Sequence, residues 1–232
     1  MTNSIIIALD FPDLSEADKF LEQFDEPLYV KVGMELYMQT GPSIVKHLKS
    51  LGHQVFLDLK LHDIPTTVKR TMSVLGRMDV DMVNVHAMGG FDMMKEACLA
   101  FREVNSTGKI IAVTQLTSTS EATMQKEQAT NLSMTDSVLH YAELAYKAGL
   151  DGVVSSPLES RLIHNEIDSE FLTVTPGIRL SENEADDQIR IVTPERARFL
   201  GSDYIVVGRP ITRSDNPVQA YKEIKSLWEM EK

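Results

Sequence analysis

Two kinds of hydrophobic pattern alternate along this chain of 232 residues. Short apolar runs rich in β-branched residues predict strands, and segments with apolar residues at helical spacing predict amphipathic helices. The predicted strands cover residues 5–10, 28–33, 55–59, 81–86, 109–116, 150–155, 171–175 and 203–207. Helical segments are predicted at 14–24, 41–51, 65–78, 90–102, 133–149, 157–165 and 217–230, with a polar, partly helical connection at 117–132.

This alternation indicates the fold class. The last strand is apolar almost throughout, as expected for a parallel sheet that is buried on both faces. Strand starts lie about 21 to 41 residues apart, which fits repeated right-handed β–α crossovers. Eight such units in a chain of this length predict an α/β protein with a (β/α)8 TIM barrel, in which residues 1–232 form a single domain.

Charged and polar residues gather where the predicted strands end. Enzyme sites in such barrels lie at the carboxyl ends of the strands. The residues there are Asp10, Lys31, Asp58, Lys60, Asn84, His86, Gln115 and Thr117. The sequence suggests no comparable set at the opposite end, so this pattern favours catalysis over structural ion pairing.

The stretch from Phe56 to Pro65 carries the densest charge. Strand alternation predicts that Phe56, Asp58 and Lys60 share one face. Burying such charges is costly unless they pair closely, which suggests that they are used in chemistry. Two structural alternatives stay open: Asp58 and Lys60 could form an ion pair at the rim, and Asp63 could cap the helix that starts at Pro65.

A second group follows the last two strands, where phosphate sites in barrels often form. Gly208 allows close backbone approach, and the Arg209 guanidinium can bind two phosphate oxygens. The long polar segment 178–192, with Arg179, Gln188 and Arg190, is typical of a lid. The alternative to a lid is that this segment is simply a solvent-exposed acidic loop.

Composition and charge limit the classes of function and the cellular location that we expect for this protein. The net charge of −11 argues against nonspecific nucleic-acid or membrane binding. A single cysteine, Cys98, and the lack of a signal sequence or long apolar run fit the reducing cytoplasm. We find no Cys/His metal spacing, dinucleotide fingerprint or serine elbow. His62 and His86 are candidates for acid–base chemistry or for simple hydrogen bonding.

Several motifs together resemble one family. The segment Asp58-Leu59-Lys60-Leu61-His62-Asp63-Ile64-Pro65 is similar to the D-x-K-x-x-D-I-P signature of the orotidine 5′-monophosphate decarboxylases. Five further segments resemble the bacterial branch of that family: Ala8-Leu9-Asp10, Val30-Lys31-Val32-Gly33, Thr114-Gln115-Leu116-Thr117-Ser118, Thr175-Pro176-Gly177-Ile178-Arg179 and Val207-Gly208-Arg209-Pro210-Ile211.

The resemblance implies a lyase that converts orotidylate to UMP and carbon dioxide, the last step of de novo pyrimidine synthesis, without metal or organic cofactor. Lys60 would protonate carbon 6 of the pyrimidine, within an alternating charge array completed by Lys31, Asp58 and Asp63. The family works as a homodimer. Asp63, with Ile64 and Thr67, would therefore reach the partner subunit's site.

The resemblance also implies how the substrate is held. Asp10 and Lys31 would hold the ribose hydroxyls. Thr117 would lie near the base, and Pro176 would belong to the substrate pocket. The phosphate would bind Gln188, Gly208 and Arg209, assisted by Arg179 at the root of the lid.

Other activities remain as alternatives. A metal-dependent 3-keto-L-gulonate 6-phosphate decarboxylase would typically carry a magnesium-binding Glu where this chain has Lys31, which would repel a cation. A barrel isomerase or epimerase acting on a pentose phosphate would lack its metal ligands here. A non-catalytic phosphate-binding barrel would give no reason for Lys60 to lie between two aspartates.

Overall fold

Eight parallel strands close into a barrel in the order of the sequence. The structure is a computed structural model that describes residues 4–180 and 191–229. The strands are β1 Ile5–Ala8, β2 Tyr29–Gly33, β3 Gln54–Leu61, β4 Met82–His86, β5 Lys109–Val113, β6 Gly152–Val154, β7 Leu172–Thr175 and β8 Tyr204–Val207. Pairing of β1 with both β2 and β8 closes the barrel, which confirms the predicted (β/α)8 fold.

Helices surround the barrel. They are α1 Leu14–Leu21, α2 Met34–Thr40, α3 Ser43–Ser50, α4 Pro65–Gly76, α5 Gly90–Val104, α6 Glu121–Glu127, α7 Met134–Lys147, α8 Pro157–Glu166, α9 Pro194–Leu200, α10 Arg209–Thr212 and α11 Pro217–Glu229. The short helices α2, α9 and α10 were not predicted. None of the described helices has the length and apolar character needed to cross a membrane.

Side chains fill the barrel interior in layers below the carboxyl ends of the strands. The cluster includes Ile6 and Ala8 of β1, Phe56 of β3 and Met82 of β4, and the rings of Tyr29 and Tyr204 meet edge to face at 6.2 Å. A second, larger cluster lies between strands and helices. The barrel interior is therefore packed with side chains rather than open as a pore.

Three aspartates occupy the amino end of the barrel, contrary to the prediction that this end has no comparable charged set. Asp81, Asp151 and Asp203 immediately precede β4, β6 and β8. Each accepts, at 2.7 Å, the N–H of the second residue of the strand before it: Val55, Ile110 and Thr173. Each also meets a basic side chain, respectively Lys49, Arg102 and His164. These carboxylates stabilise strand starts, where ladder donors need acceptors.

Candidate active site

A cavity of about 440 Å³ opens at the carboxyl ends of the strands. Its lining includes ten of the candidate site residues named from the sequence: Asp10, Lys31, Asp58, Lys60, Gln115, Thr117, Pro176, Arg179, Gly208 and Arg209. Val113, Val154 and Val206 contribute apolar wall. Arg213 also lines the cavity and was not predicted, because it lies beyond the glycine–arginine motif on which the prediction relied.

Four charges of alternating sign cross one side of this cavity. The Lys31 ammonium lies 3.2 Å from Asp10 Oδ1 and 3.3 Å from Asp58 Oδ2. The Lys60 ammonium donates to Asp58 Oδ1 at 2.6 Å. The side chains of Lys31 and Asp58 are only 12% and 10% exposed, whereas that of Lys60 is 29% exposed. Lys60 is therefore the cation that is both anchored to the array and accessible to a ligand.

The environment holds this array in its charged form. Burial alone would raise the pKa of Asp58, but the neighbouring Lys31 and Lys60 charges outweigh it and lower that pKa. Burial likewise opposes the charge on Lys31, but the Asp58 and Asp10 carboxylates raise the pKa of the ammonium. Both groups stay ionised at neutral pH.

The backbone of β3 departs from regular strand geometry between Leu57 and Leu61. Pairing with β4 shifts from Leu57↔Val83 to Leu61↔Val85, so four steps along β3 match two along β4. Lys60, inside this bulge, has φ of +50°. A non-glycine residue there costs on the order of 1–3 kcal/mol and is typical of functional sites. Lys60 does line the cavity, but through the bulge rather than through the predicted strand alternation.

Asn84 of β4 supports the bulge. Its Oδ1 accepts the Lys60 backbone N–H at 2.7 Å, and its Nδ2 donates to Asp58 Oδ1 at 2.7 Å. The side chain is 1% exposed. The sequence placed Asn84 at the correct end of the barrel but gave no sign of these bonds.

The glycine–arginine motif lies next to Asp10, because β8 pairs with β1, and a Cβ on Gly208 would lie 3.7 Å from Asp10 Oδ2. Gly208 and Arg209 follow β8, and Arg179 lies 5% exposed after β7, donating to Ile178 O at 2.9 Å. The Arg179 N–H donates to Val192 O at 3.0 Å, and the Val192 N–H donates to Gly177 O at 3.1 Å. These bonds join the two ends of the predicted lid. Gln188 and Arg190 lie outside the described residues.

Comparison with known proteins places these features in a family. The family model described as "Orotidine 5'-phosphate decarboxylase / HUMPS family" matches residues 3–224. The chain belongs to this family. A relative named orotidine 5'-phosphate decarboxylase from Staphylococcus saprophyticus is 55% identical over 228 residues, covering 98% of this chain and 99% of the relative.

Other similar proteins carry the same name. The Staphylococcus aureus protein of that name is 57% identical over 223 residues, covering 96% of this chain and 97% of the relative. The solved structure of orotidine 5'-phosphate decarboxylase from Lactobacillus acidophilus is 39% identical, with a TM-score of 0.88, and the match covers 98% of this chain and 100% of that one.

Three residues of the family signature region lie outside the cavity of their own chain. Asp63, Ile64 and Thr67 are exposed and do not line it. The alternative that Asp63 caps α4 is wrong, since the residue at the cap position is Ile64 and no side chain caps the helix. Asp63 Oδ1 instead accepts the Ile64 N–H at 2.6 Å.

Two histidines stack at the rim beside the family signature. The rings of His62 and His86 are 5.8 Å apart and 26° from parallel. Burial, aided by the His62 and Lys60 charges, lowers the pKa of His86. Neither ring lines the cavity, and for His86 the structure favours the hydrogen-bonding interpretation, since its Nδ1 accepts the Met88 N–H at 3.4 Å.

A reciprocal amide pair that sequence reasoning missed joins Gln115, which lines the cavity, to Gln128. Gln115 Nε2 donates to Gln128 Oε1 at 2.9 Å, and Gln128 Nε2 donates to Gln115 Oε1 at 3.0 Å. Gln115 also donates to Ser137 Oγ at 2.9 Å. These bonds fix the segment that brings Thr117 and Ser118 to the cavity.

The charge array does not have the composition of a metal centre. Across residues 4–180 and 191–229, no group of three or more His, Cys, Asp or Glu side chains is arranged to hold a metal ion. In the cavity, the carboxylates of Asp10 and Asp58 already have Lys31 between them. The Lys31 ammonium thus occupies the position between the two carboxylates that a metal cation would need.

Proposed function

We propose that this protein, as a single domain spanning residues 1–232, decarboxylates orotidine 5′-monophosphate to UMP and carbon dioxide. The observation that carries the proposal is the Lys60 ammonium, held 2.6 Å from Asp58 in a cavity that is also lined by Gly208 and Arg209. Membership of the family and 55% identity to a named decarboxylase support the same activity.

Lys60 acts where the bond breaks. Departure of carbon dioxide leaves the electron pair of the C6–carboxylate bond on carbon 6, in an sp² orbital that the ring cannot delocalise. A fixed ammonium beside that carbon stabilises the developing charge without having to reorganise. Carbon 6 then takes a proton from Lys60 Nζ, and the neutral amine regains a proton from solvent.

The neighbouring charges position Lys60 and the sugar. Asp58 anchors the Lys60 ammonium, and Lys31 balances the second Asp58 oxygen. Asp10, whose side chain is 65% exposed, retains capacity for hydrogen bonds to the ribose hydroxyls together with Lys31. The array thereby links the binding of the sugar to the geometry of the reacting group.

The remaining residues of the cavity and the lid bind the base and the phosphate. Thr117 contacts the base and Pro176 forms part of the substrate pocket. Gly208, Arg209 and Gln188 bind the phosphate, with Arg179 assisting from the root of the lid. Closure of the lid over the phosphate uses binding energy remote from the scissile bond to organise the charged array.

We also propose a homodimer with shared sites. Asp63, Ile64 and Thr67 lie outside their own cavity, so they are free to enter that of a partner subunit. Exposed apolar side chains follow three consecutive strands on the same end: Met34 and Met38 after β2, Ile64 after β3 and Met88 after β4. Such a patch, 41–76% exposed per residue, is typical of an interface.

Mixing inactive subunits tests site sharing. Lys60→Ala and Asp63→Ala homodimers should each be inactive, whereas exchange produces heterodimers with one intact site. We predict partial recovery of activity after exchange is demonstrated by differently tagged subunits. Absence of recovery in demonstrated heterodimers would contradict sharing.

The direct test of the activity is to add purified protein to orotidylate and follow the fall in ultraviolet absorbance. Turnover should persist in EDTA. Strict dependence on magnesium would favour a metal-dependent phosphosugar decarboxylase, and binding without turnover would favour a phosphate-binding barrel. We further propose a cytoplasmic location, since the single thiol of Cys98 suits a reducing compartment.

A further inference from the structure

The Lys60 backbone is held in an unusual conformation by a neighbouring strand. At φ +50° inside the β3 bulge, its N–H points to the side chain of Asn84 rather than into the regular ladder. Bulges leave a residue outside the ladder pairing, and a buried N–H requires another acceptor. Asn84 Oδ1 supplies that acceptor at 2.7 Å.

The other end of the same amide fixes the carboxylate that anchors Lys60. Asn84 Nδ2 donates to Asp58 Oδ1 at 2.7 Å, the oxygen that also accepts the Lys60 ammonium. A closed ring of hydrogen bonds thus runs from the Lys60 main chain through the Asn84 amide and the Asp58 carboxylate to the Lys60 ammonium. With Asn84 1% exposed, water does not compete for these bonds.

We propose that Asn84 is a positioning residue for the reaction: one buried amide sets both the backbone of Lys60 and the carboxylate that aims its ammonium. This inference rests on the proposed function, because it assigns to Asn84 the geometry of the proton donor. An amide suits this position because its Oδ1 accepts from one group while its Nδ2 donates to the other, in a manner that does not change with pH.

Charges from four elements face this ring. Lys31 of β2 and Asp10 after β1 lie on the far side of Asp58, and His86 of β4 and His62 lie beyond Lys60. All of them are retained in the variants below. Asn84→Ala adds no titratable group, so the pH dependence of its ratio to the wild type reports the contribution of these neighbours.

Asn84→Asp gives the most specific signature. The new carboxylate lies against Asp58, and two carboxylates in contact share a proton with a raised pKa. When that proton is present, residue 84 donates to Asp58 and still accepts from Lys60, as the amide does. When it is lost, the carboxylates repel. The variant should therefore recover relative to wild type as the pH falls.

The matched control is Asn105→Asp at the amino end of the barrel. Asn105 is 6% exposed, donates to Val80 O at 2.9 Å and accepts the Gly108 N–H at 2.7 Å. It is thus a buried, bridging asparagine remote from the cavity. Its substitution should lower stability while leaving the ratio of its kcat/KM to that of wild type independent of pH.

The experiment measures kcat/KM for orotidylate from about pH 8 to about pH 5.5. We expect Asn84→Ala to lose about 100-fold at every pH, as a misplaced reacting group does. The ratio for Asn84→Asp should rise at least about tenfold towards the acid end. A pH-independent ratio for Asn84→Asp, or an Asn84→Ala variant within about threefold of wild type, overturns the proposal.

A readout without turnover separates this inference from the proposed function. Carbon-13 NMR titration of the Asp58 carboxyl should give a higher pKa in Asn84→Ala than in wild type, because a donor to the carboxylate is lost. An unchanged Asp58 pKa contradicts the positioning role even if the protein turns over orotidylate. If wild type is inactive, the titration still decides the role of Asn84. Should Asn84→Asp fail to fold, Asn84→Ala decides by both readouts.

Discussion

Removing the Lys31 charge tests how strongly the four charges of the array stabilise one another. In Lys31→Met the stem volume is kept and the ammonium, 3.3 Å from Asp58 Oδ2, is lost. At an effective dielectric of about 20 that attraction is about 5 kcal/mol. Loss of one partner from a buried pair costs about 3–5 kcal/mol. We therefore predict destabilisation of about 3–5 kcal/mol at neutral pH, out of a typical total of about 5–15 kcal/mol.

The matched control is Lys147→Met on α7. Lys147 lies only 2.6 Å from Glu143, closer than Lys31 is to either carboxylate, but the two side chains are 59% and 54% exposed. Exposed i,i+4 pairs contribute about 0.3–0.5 kcal/mol. Urea unfolding of both variants therefore separates the effect of burial from that of distance.

The difference in unfolding free energy between the wild type and Lys31→Met should depend on pH at both the acidic and the basic end of the scale. The lowered pKa of Asp58 contributes stability that is present above its unfolded value of about 3.9 and is lost as the pH falls through the folded pKa. The raised pKa of Lys31 contributes stability that is present below about 10.4 and is lost as the pH rises through the folded pKa. The difference should therefore be greatest from about pH 5 to about pH 9.

One result would refute this reasoning. If Lys31→Met unfolds within about 0.5 kcal/mol of wild type across that range, the four charges are not coupled as their geometry implies. A destabilisation equal in Lys31→Met and Lys147→Met would show that burial does not strengthen these pairs.

Two further predictions concern the ends of the barrel. Asp151→Ala leaves the Ile110 N–H without its acceptor at 2.7 Å. We therefore expect urea unfolding to show a loss of about 1–3 kcal/mol of stability, with kcat unchanged. A lowered kcat with unchanged stability would contradict this. Arg209→Ala should reduce kcat/KM for orotidylate by about 10- to 100-fold, mainly through KM, because a charged hydrogen bond to phosphate is lost. Arg196→Ala on α9 serves as its control, and equal activity of the two variants would argue against the phosphate assignment.

The sequence was sufficient for the fold and for the end of the barrel that carries the site. Strand periodicity correctly grouped Phe56 with Asp58, which both line the cavity, because side chains two residues apart on a strand point the same way. The short helices α2, α9 and α10 escaped prediction because four to seven residues give too few turns to show a period.

Contacts between strands were beyond sequence reasoning. The sequence places Asp81 at the start of a strand, but nothing local shows that it accepts the Val55 N–H of the neighbouring strand β3. The β3 bulge depends on pairing with β4, and the Asn84 bonds depend on the bulge. The Gln115–Gln128 pair joins residues that only the folded chain brings together.

The most direct measurement compares Lys60→Ala with wild type for turnover of orotidylate and for calorimetric binding of UMP. Lys69→Ala is the control, since Lys69 is an α4 lysine paired with Glu96 at 2.7 Å outside the cavity. We predict that Lys60→Ala loses at least about 10⁴-fold in kcat and binds UMP within about tenfold of wild type. Turnover by Lys60→Ala within about tenfold of wild type would contradict the account.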